Sequence, residues 1–197
     1  MQVQFLFNNF KIRFMERKEA LEILKENLKK ENLIKHSIAV EAIMKGLAKF
    51  LKEDEERWGL IGLLHDIDFE KTENDFSSHG IKAKEILSGK VDEDFLRTIR
   101  SHNFENTKEE PKEKVDFALI ASDAVSGLII ACALVLPSKK LEDLKVETVI
   151  KKFKQKDFAR NCRRERILFC EKMGIEKEKF FEIALNSLKN VSKELGL

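Results

Sequence analysis

The chain has 197 residues and a formal net charge of +2, with 43% hydrophobic and 37% charged residues. This describes a soluble globular protein of about one domain and excludes a disordered chain. Three scattered cysteines, Cys132, Cys162 and Cys170, form no CxxC pair, which argues against a disulfide scaffold and thiolate metal ligands and fits a reducing cytoplasm. The charged residues are mostly Lys and Glu, a weak pointer to a thermophilic source.

The first residues, QVQFLF-NN-FKIRF, alternate around an Asn-Asn pair. They read either as a small hairpin or as a loose extension over 1–15. They lack the basic start and long apolar core of a signal peptide, so a cytoplasmic protein is expected. From there on, apolar residues recur at spacings of three and four, the period of amphipathic helices. Helices are expected at 19–30, at 33–51 with an inner stripe of Ile38, Val40, Ile43, Met44 and Leu47, and at 55–66, where Gly59 and Gly62 permit close packing. A loop follows over 67–76.

Ser77 or Ser78 is expected to cap a helix through Leu87, with His79 in its first turn. Asp92 is expected to cap another, reaching about Ser101. A loop over 105–111 leads to Pro111 at the start of a long apolar helix that ends before Pro137. That run, 117–136, holds Asp123. A mid-membrane Asp costs roughly 2.5–3.5 kcal/mol, so a buried core helix accounts for the run better than a membrane span. Further helices are expected at 141–153, 160–173 and 177–194, with Gly174 capping between the last two. The fold class is therefore all-α. The expected organisation is an extension over 1–15, a helical core over 16–136, and helices over 137–197 packed on that core in the same domain.

The chain has four histidines: His36, His65, His79 and His102. Asp66 follows His65 directly. Taken singly, His36 reads as a core or boundary residue, His79 as a surface first-turn residue, and His102 as a helix-end residue stabilised by the dipole. Asp123 differs, because a carboxylate in the apolar run ALIASDAVSGLIIA needs a partner. Together the six residues occur at or near helices of a bundle, where ligands on facing helices converge.

The order His … His-Asp … His … His … Asp, with GLLHDI and the Ser-Asp-Ala around Asp123, resembles the HD-domain superfamily of metal-dependent phosphohydrolases. The resemblance covers roughly residues 36–123 and implies an HD-type helical bundle. It implies that His36, His65, Asp66 and Asp123 hold one metal, and that His79, His102 and a bridging Asp66 hold a second. His65 and Asp66 would be the catalytic pair, and a hydroxide bridging the two ions the nucleophile. His and carboxylate donors suit Fe, Mn, Co, Ni or Zn. The chain departs from the His-Asp-Ile-Gly-Lys of many two-metal signalling members, reading His65-Asp66-Ile67-Asp68-Phe69-Glu70-Lys71, and lacks Gly-Tyr-Pro, which argues against a cyclic-dinucleotide substrate.

The implied reaction is hydrolysis of a phosphate ester or anhydride of a nucleotide or other small phosphorylated molecule, with dinucleoside tetraphosphates as the leading specific class. Two alternatives stay open: an HD-type di-iron oxygenase and a non-catalytic metal-stabilised interaction module. Lys71, Lys154, Lys156 and Arg160 are candidates for binding an anionic substrate, the last three in a basic run that continues through Arg163, Arg164 and Arg166. A solvated helix face accounts better than substrate binding for any single one of them. The small net charge and the lack of a recognition motif argue against nucleic acid as the partner.

Overall fold

The structure, a computed structural model, describes residues 15–197. The hairpin or extension expected for 1–14 lies outside the described residues. Among the described residues there are helices and no strands, so the fold is all-α.

Three early helices set the frame: α1 (Arg17–Asn27), α2 (Glu31–Leu51) and α3 (Glu55–Leu64). The apolar stripe expected on α2 is buried, with Val40, Ile43, Met44 and Leu47 fully covered. Asp54 caps α3 by accepting the Arg57 N–H at 2.9 Å. Helices α2 and α3 pack together more extensively than any other pair. Gly62 is the reason they can. A Cβ there would stand 3.0 Å from the Glu41 backbone and 2.9 Å from Met44 Cγ. Gly59 has the same role against the Lys45 side chain.

The α3 helix ends at Leu64, two residues short of the expected 66. The backbone then passes into tight turns, with Ile67 N–H on Leu64 O at 3.2 Å and Phe69 N–H on Asp66 O at 2.9 Å. His65 and Asp66 therefore sit beyond the helix end. The expected loop over 67–76 contains a short helix, α4 (Phe69–Thr72). Ser77 and Ser78 do not cap a helix. Their hydroxyls go to the Asp75 carboxylate within a 3-10 turn (Phe76–Ser78), and α5 (Ala83–Leu87) starts only later. His79 thus precedes a helix instead of lying in its first turn.

Asp92 does cap α6 (Glu93–Ser101), accepting the Phe95 N–H at 2.8 Å. The same carboxylate takes both Arg57 Nη groups at 2.6 and 2.8 Å, tying α6 to α3. A short α7 (Phe104–Thr107) occupies part of the expected 105–111 loop. The long apolar helix is α8 (Lys114–Leu134), which begins after Pro111 with a capping box of Glu113 and Asp116. It is long and apolar enough to cross a membrane, yet 67% of its most apolar window is buried within this fold. Asp116 is fully buried and accepts both Arg97 Nη groups at 2.8 and 3.0 Å, so α6 is also clamped to α8.

The expected 141–153 helix divides into a 3-10 turn (Leu141–Asp143) and α9 (Val146–Phe153). The expected 160–173 helix becomes α10 (Arg164–Ile167) and a 3-10 stretch (Leu168–Met173). Arg164 explains the break. Its guanidinium donates to the carbonyls of Ala159 and Cys162, each at 2.7 Å, and to that of Phe158, holding the preceding chain as a coil. Gly174 caps that stretch at φ +76, as expected, before α11 (Lys177–Asn190) and α12 (Ser192–Leu195). Buried residues from α1 to α12 form one contiguous core.

Candidate metal centre

Five backbone elements bring the six histidine and aspartate residues together. His36 lies on α2, His65 and Asp66 in the turn after α3, His79 before α5, His102 at the C-cap of α6 and Asp123 on α8. Asp66 is at the centre. Its Oδ1 lies 3.3 Å from His65 Nε2, 3.2 Å from His79 Nε2 and 3.5 Å from His102 Nε2. Its Oδ2 lies 3.6 Å from His36 Nε2. Asp123 Oδ1 completes the near edge, 3.2 Å from His36 Nε2 and 3.9 Å from His65 Nε2. Asp123 is not sealed in the core as its apolar surroundings suggested: its side chain is 26% exposed, facing an open edge.

Every ring presents Nε2 to this centre because its Nδ1 is held elsewhere. His65 Nδ1 meets Gly62 O at 2.8 Å, and His102 Nδ1 meets Ile99 O. His79 Nδ1 meets Asp68 Oδ1 at 2.9 Å, and His36 Nδ1 meets Ser126 Oγ at 3.2 Å. Carbonyl and carboxylate oxygens only accept, so the first three rings carry their protons on Nδ1. Ser126 donates its hydroxyl to Asp123 O at 2.9 Å and so can accept from His36. This is how metal-ligating histidines are oriented by their outer partners.

The donor set fits a divalent cation on two further counts. His65 Nε2 is buried and has no hydrogen-bond partner. His79 Nε2 and His102 Nε2 are 2.9 Å apart, so two neutral rings would face lone pair to lone pair. A proton or a cation has to lie between them. Two nitrogens each about 2.1 Å from one ion and at a right angle are about 3.0 Å apart. Two triads that could each hold an ion result, His36–His65–Asp66 and Asp66–His79–His102, with Asp66 common to both.

In the chain by itself the charges sort unevenly. Burial is the largest influence on His65 and lowers it to about 4 despite Asp66 and Asp123. Burial also opposes charge on His79, but the hydrogen bonds to Asp66 and Asp68 outweigh it and raise the imidazole to about 9. His36 is raised too, burial being overcome by Asp123 and Asp66. Burial disfavours the ionised Asp66 and Asp123, yet the surrounding histidines hold both below the usual carboxylate value.

Residues 33–128 match the family model of the HD domain. The chain carries an HD domain. No curated protein and no solved structure matches it. HD domains are in general metal-dependent hydrolases of small molecules, and the His and Asp clusters here are of the kind that bind divalent metals. The matched span contains the whole cluster, from His36 to Asp123.

The basic candidates are placed differently. Lys71 is exposed on α4, with Nζ on Asn27 Oδ1 at 2.7 Å. Lys154, Lys156 and Arg160 are exposed between α9 and α10 and do not line the cavity beside His36 and Asp123, whereas Arg163 and Arg166 do. Two orienting residues were not singled out from the sequence. Asp68 is fully buried and accepts from His79 Nδ1, Gly80 N–H at 2.8 Å and Ala83 N–H at 3.0 Å. Ser126 stands one helical turn beyond Asp123. A second acid two residues after Asp66, in an otherwise apolar stretch, was the available signal for Asp68.

Proposed function

We propose that this HD protein hydrolyses a phosphate ester or anhydride of a nucleotide or other small phosphorylated molecule, with two divalent ions held on the shared Asp66. The observation that carries this reading is the pair of triads meeting at one carboxylate. His36, His65, Asp66 and Asp123 would hold one ion; Asp66, His79 and His102 the other. Bound there, such ions supply an activated water and polarise the phosphoryl group. The chain's own residues do the rest. Asp66 and Asp123 stay ionised and bring negative charge. The Nδ1 anchors keep the rings from turning, so the site is preorganised. Helices α2, α3 and α8 exclude water from the His65 side. The net reaction adds water across a P–O bond, hydroxyl to phosphorus and proton to the departing oxygen.

The test is elemental analysis of protein purified without chelators, followed by assay of the same sample on nucleotides, dinucleotides and phosphomonoesters with oxygen excluded. Two ions per chain and anaerobic turnover are expected. Turnover only in the presence of oxygen would turn the reading toward an oxygenase. Full metal occupancy with no turnover on the whole panel would turn it toward a metal-stabilised interaction module.

A further inference from the structure

The histidine-aspartate cluster is open on one side. His65, His79 and His102 are at most 3% exposed, whereas His36 and Asp123 are 24% and 26% exposed. Against that edge lies a cavity of about 240 Å³, walled by His36, Asp123, Gly127, Cys162, Arg163 and Arg166. Gly127 matters to its shape, since a Cβ there would stand 3.1 Å from Cys162 Sγ.

Arg166 is the unusual wall. Its side chain is only 11% exposed. A guanidinium has five N–H donors, and here Nη2 bonds Glu105 while Nε is buried without a partner. Its Nη1 stands 3.8 Å from Asp123 Oδ2, too long for a hydrogen bond. Glu105 is moreover shared with Arg163, whose Nη1 is 2.8 Å away. A buried cation with so few of its donors used is costly unless another anion completes it.

We propose that this cavity is the anionic subsite of the substrate and that Arg166 holds a phosphoryl oxygen there, beside the His36–Asp123 edge. The proposal rests on the metal-hydrolase reading and narrows its substrate. Drug-sized ligands fill about 300–1,000 Å³, so a smaller cavity takes a phosphoryl group on a compact body. The base of a nucleotide would project beyond it. The planar fork of arginine suits phosphate oxygens in pairs, which an ammonium does not reproduce.

Cys162 provides a readout that does not depend on turnover. It is half-buried in the cavity wall, whereas Cys132 and Cys170 are buried and serve as internal controls. Protein with its own metals is alkylated with iodoacetamide, with and without inorganic phosphate, and the modified cysteines are identified by mass spectrometry. Phosphate at about ten times its Kd should slow modification of Cys162 about ten-fold. In Arg166→Gln, at unchanged metal content, phosphate should make no difference. If that variant loses metal, Arg166→Lys carries the comparison, and weakened protection is expected. Equal protection in wild type and variant, or none in metal-loaded wild type, overturns the proposal. Wild type that binds no metal overturns the underlying reading instead, and protection persisting there would still support the cavity as an anion site.

Discussion

Asp68 Oδ1 and His79 Nδ1 meet at 2.9 Å inside the protein, and the other Asp68 oxygen is taken by two backbone N–H groups. The carboxylate is thus fixed before it fixes the ring. It holds the proton on Nδ1 and aims Nε2 at Asp66 and His102. Removing such an outer partner typically lowers metal affinity about 10–100-fold. Asp68→Asn should therefore lose the ion of the His79–His102 triad first. Metal titration should show one tight and one weakened ion, with the helical circular dichroism of the wild type. Two ions bound as tightly as in wild type would show that Asp68 serves folding alone.

The titration behaviour of the cluster predicts how stability depends on pH once metal is stripped by a chelator. His79 is raised from 6.5 to about 9. Its contribution is fully present below pH 6.5 and is lost as pH rises through about 9. His36, also raised, works in the same direction. His65 is lowered to about 4, so below pH 6.5 the unfolded chain binds a proton that the folded chain refuses, and stability falls as pH drops toward 4. Asp66 and Asp123, both lowered, add a further loss as pH falls below 3.8. Urea denaturation of the stripped protein should show greatest stability near pH 6.5. The metal-loaded protein should pull ahead from pH 6.5 to 9, because histidine ligands must shed their protons to bind. A constant gap across that range would contradict the assignment of His79.

The all-α class was legible because it rests on local spacing, and the six clustered residues were legible as an ordered set that resembles the HD pattern. The three-and-four period marks helices without reference to their neighbours, and only four histidines had to be placed. What was not legible depends on contacts between distant segments. Arg164 breaks the expected 160–173 helix through carbonyls that no pattern advertises. Ser77 and Ser78 have the residue type of caps but are claimed by Asp75. Basic residues look alike in sequence, and only packing separates Arg166, buried against Glu105, from Lys154, Lys156 and Arg160 in solvent. Asp123 showed its need for a partner but not its exposure at the edge of the cluster.

Gly62 links packing to the metal centre. It lies three residues before His65 and accepts that ring's Nδ1–H on its carbonyl. A methyl group at 62 would press on the Glu41 backbone, which cannot give way as a side chain can. Gly62→Ala should cost about 1–3 kcal/mol in urea denaturation, as overpacking does, and should also reduce metal content by moving His65 away from His36. Gly89→Ala is the control. Its site has open space but φ +72, so it should lose about 1 kcal/mol with metal content unchanged. Equal metal content in both variants would separate the helix contact from the site.

The Arg97–Asp116 pair tests whether His102 is positioned by the clamps on α6. Asp116 is fully buried, and Arg97 supplies two of the four hydrogen bonds it accepts, the others coming from Lys112 N–H and Glu113 N–H at 2.9 and 3.0 Å. Arg97→Ala leaves a buried carboxylate with backbone donors only. The loss should be about 3 kcal/mol, toward the low end for a broken buried pair because those two donors remain. Arg97 also fixes α6 to α8 from mid-helix, halfway between Asp92, which Arg57 clamps at the N-cap, and His102 at the C-cap. If α6 shifts, His102 Nε2 moves from His79 and Asp66 while the His36–His65 edge keeps its place. Metal titration of Arg97→Ala should then resemble Asp68→Asn, with one ion weakened and one retained. Loss of stability without any change in metal binding would mean that the Asp92–Arg57 clamp alone is enough to hold His102.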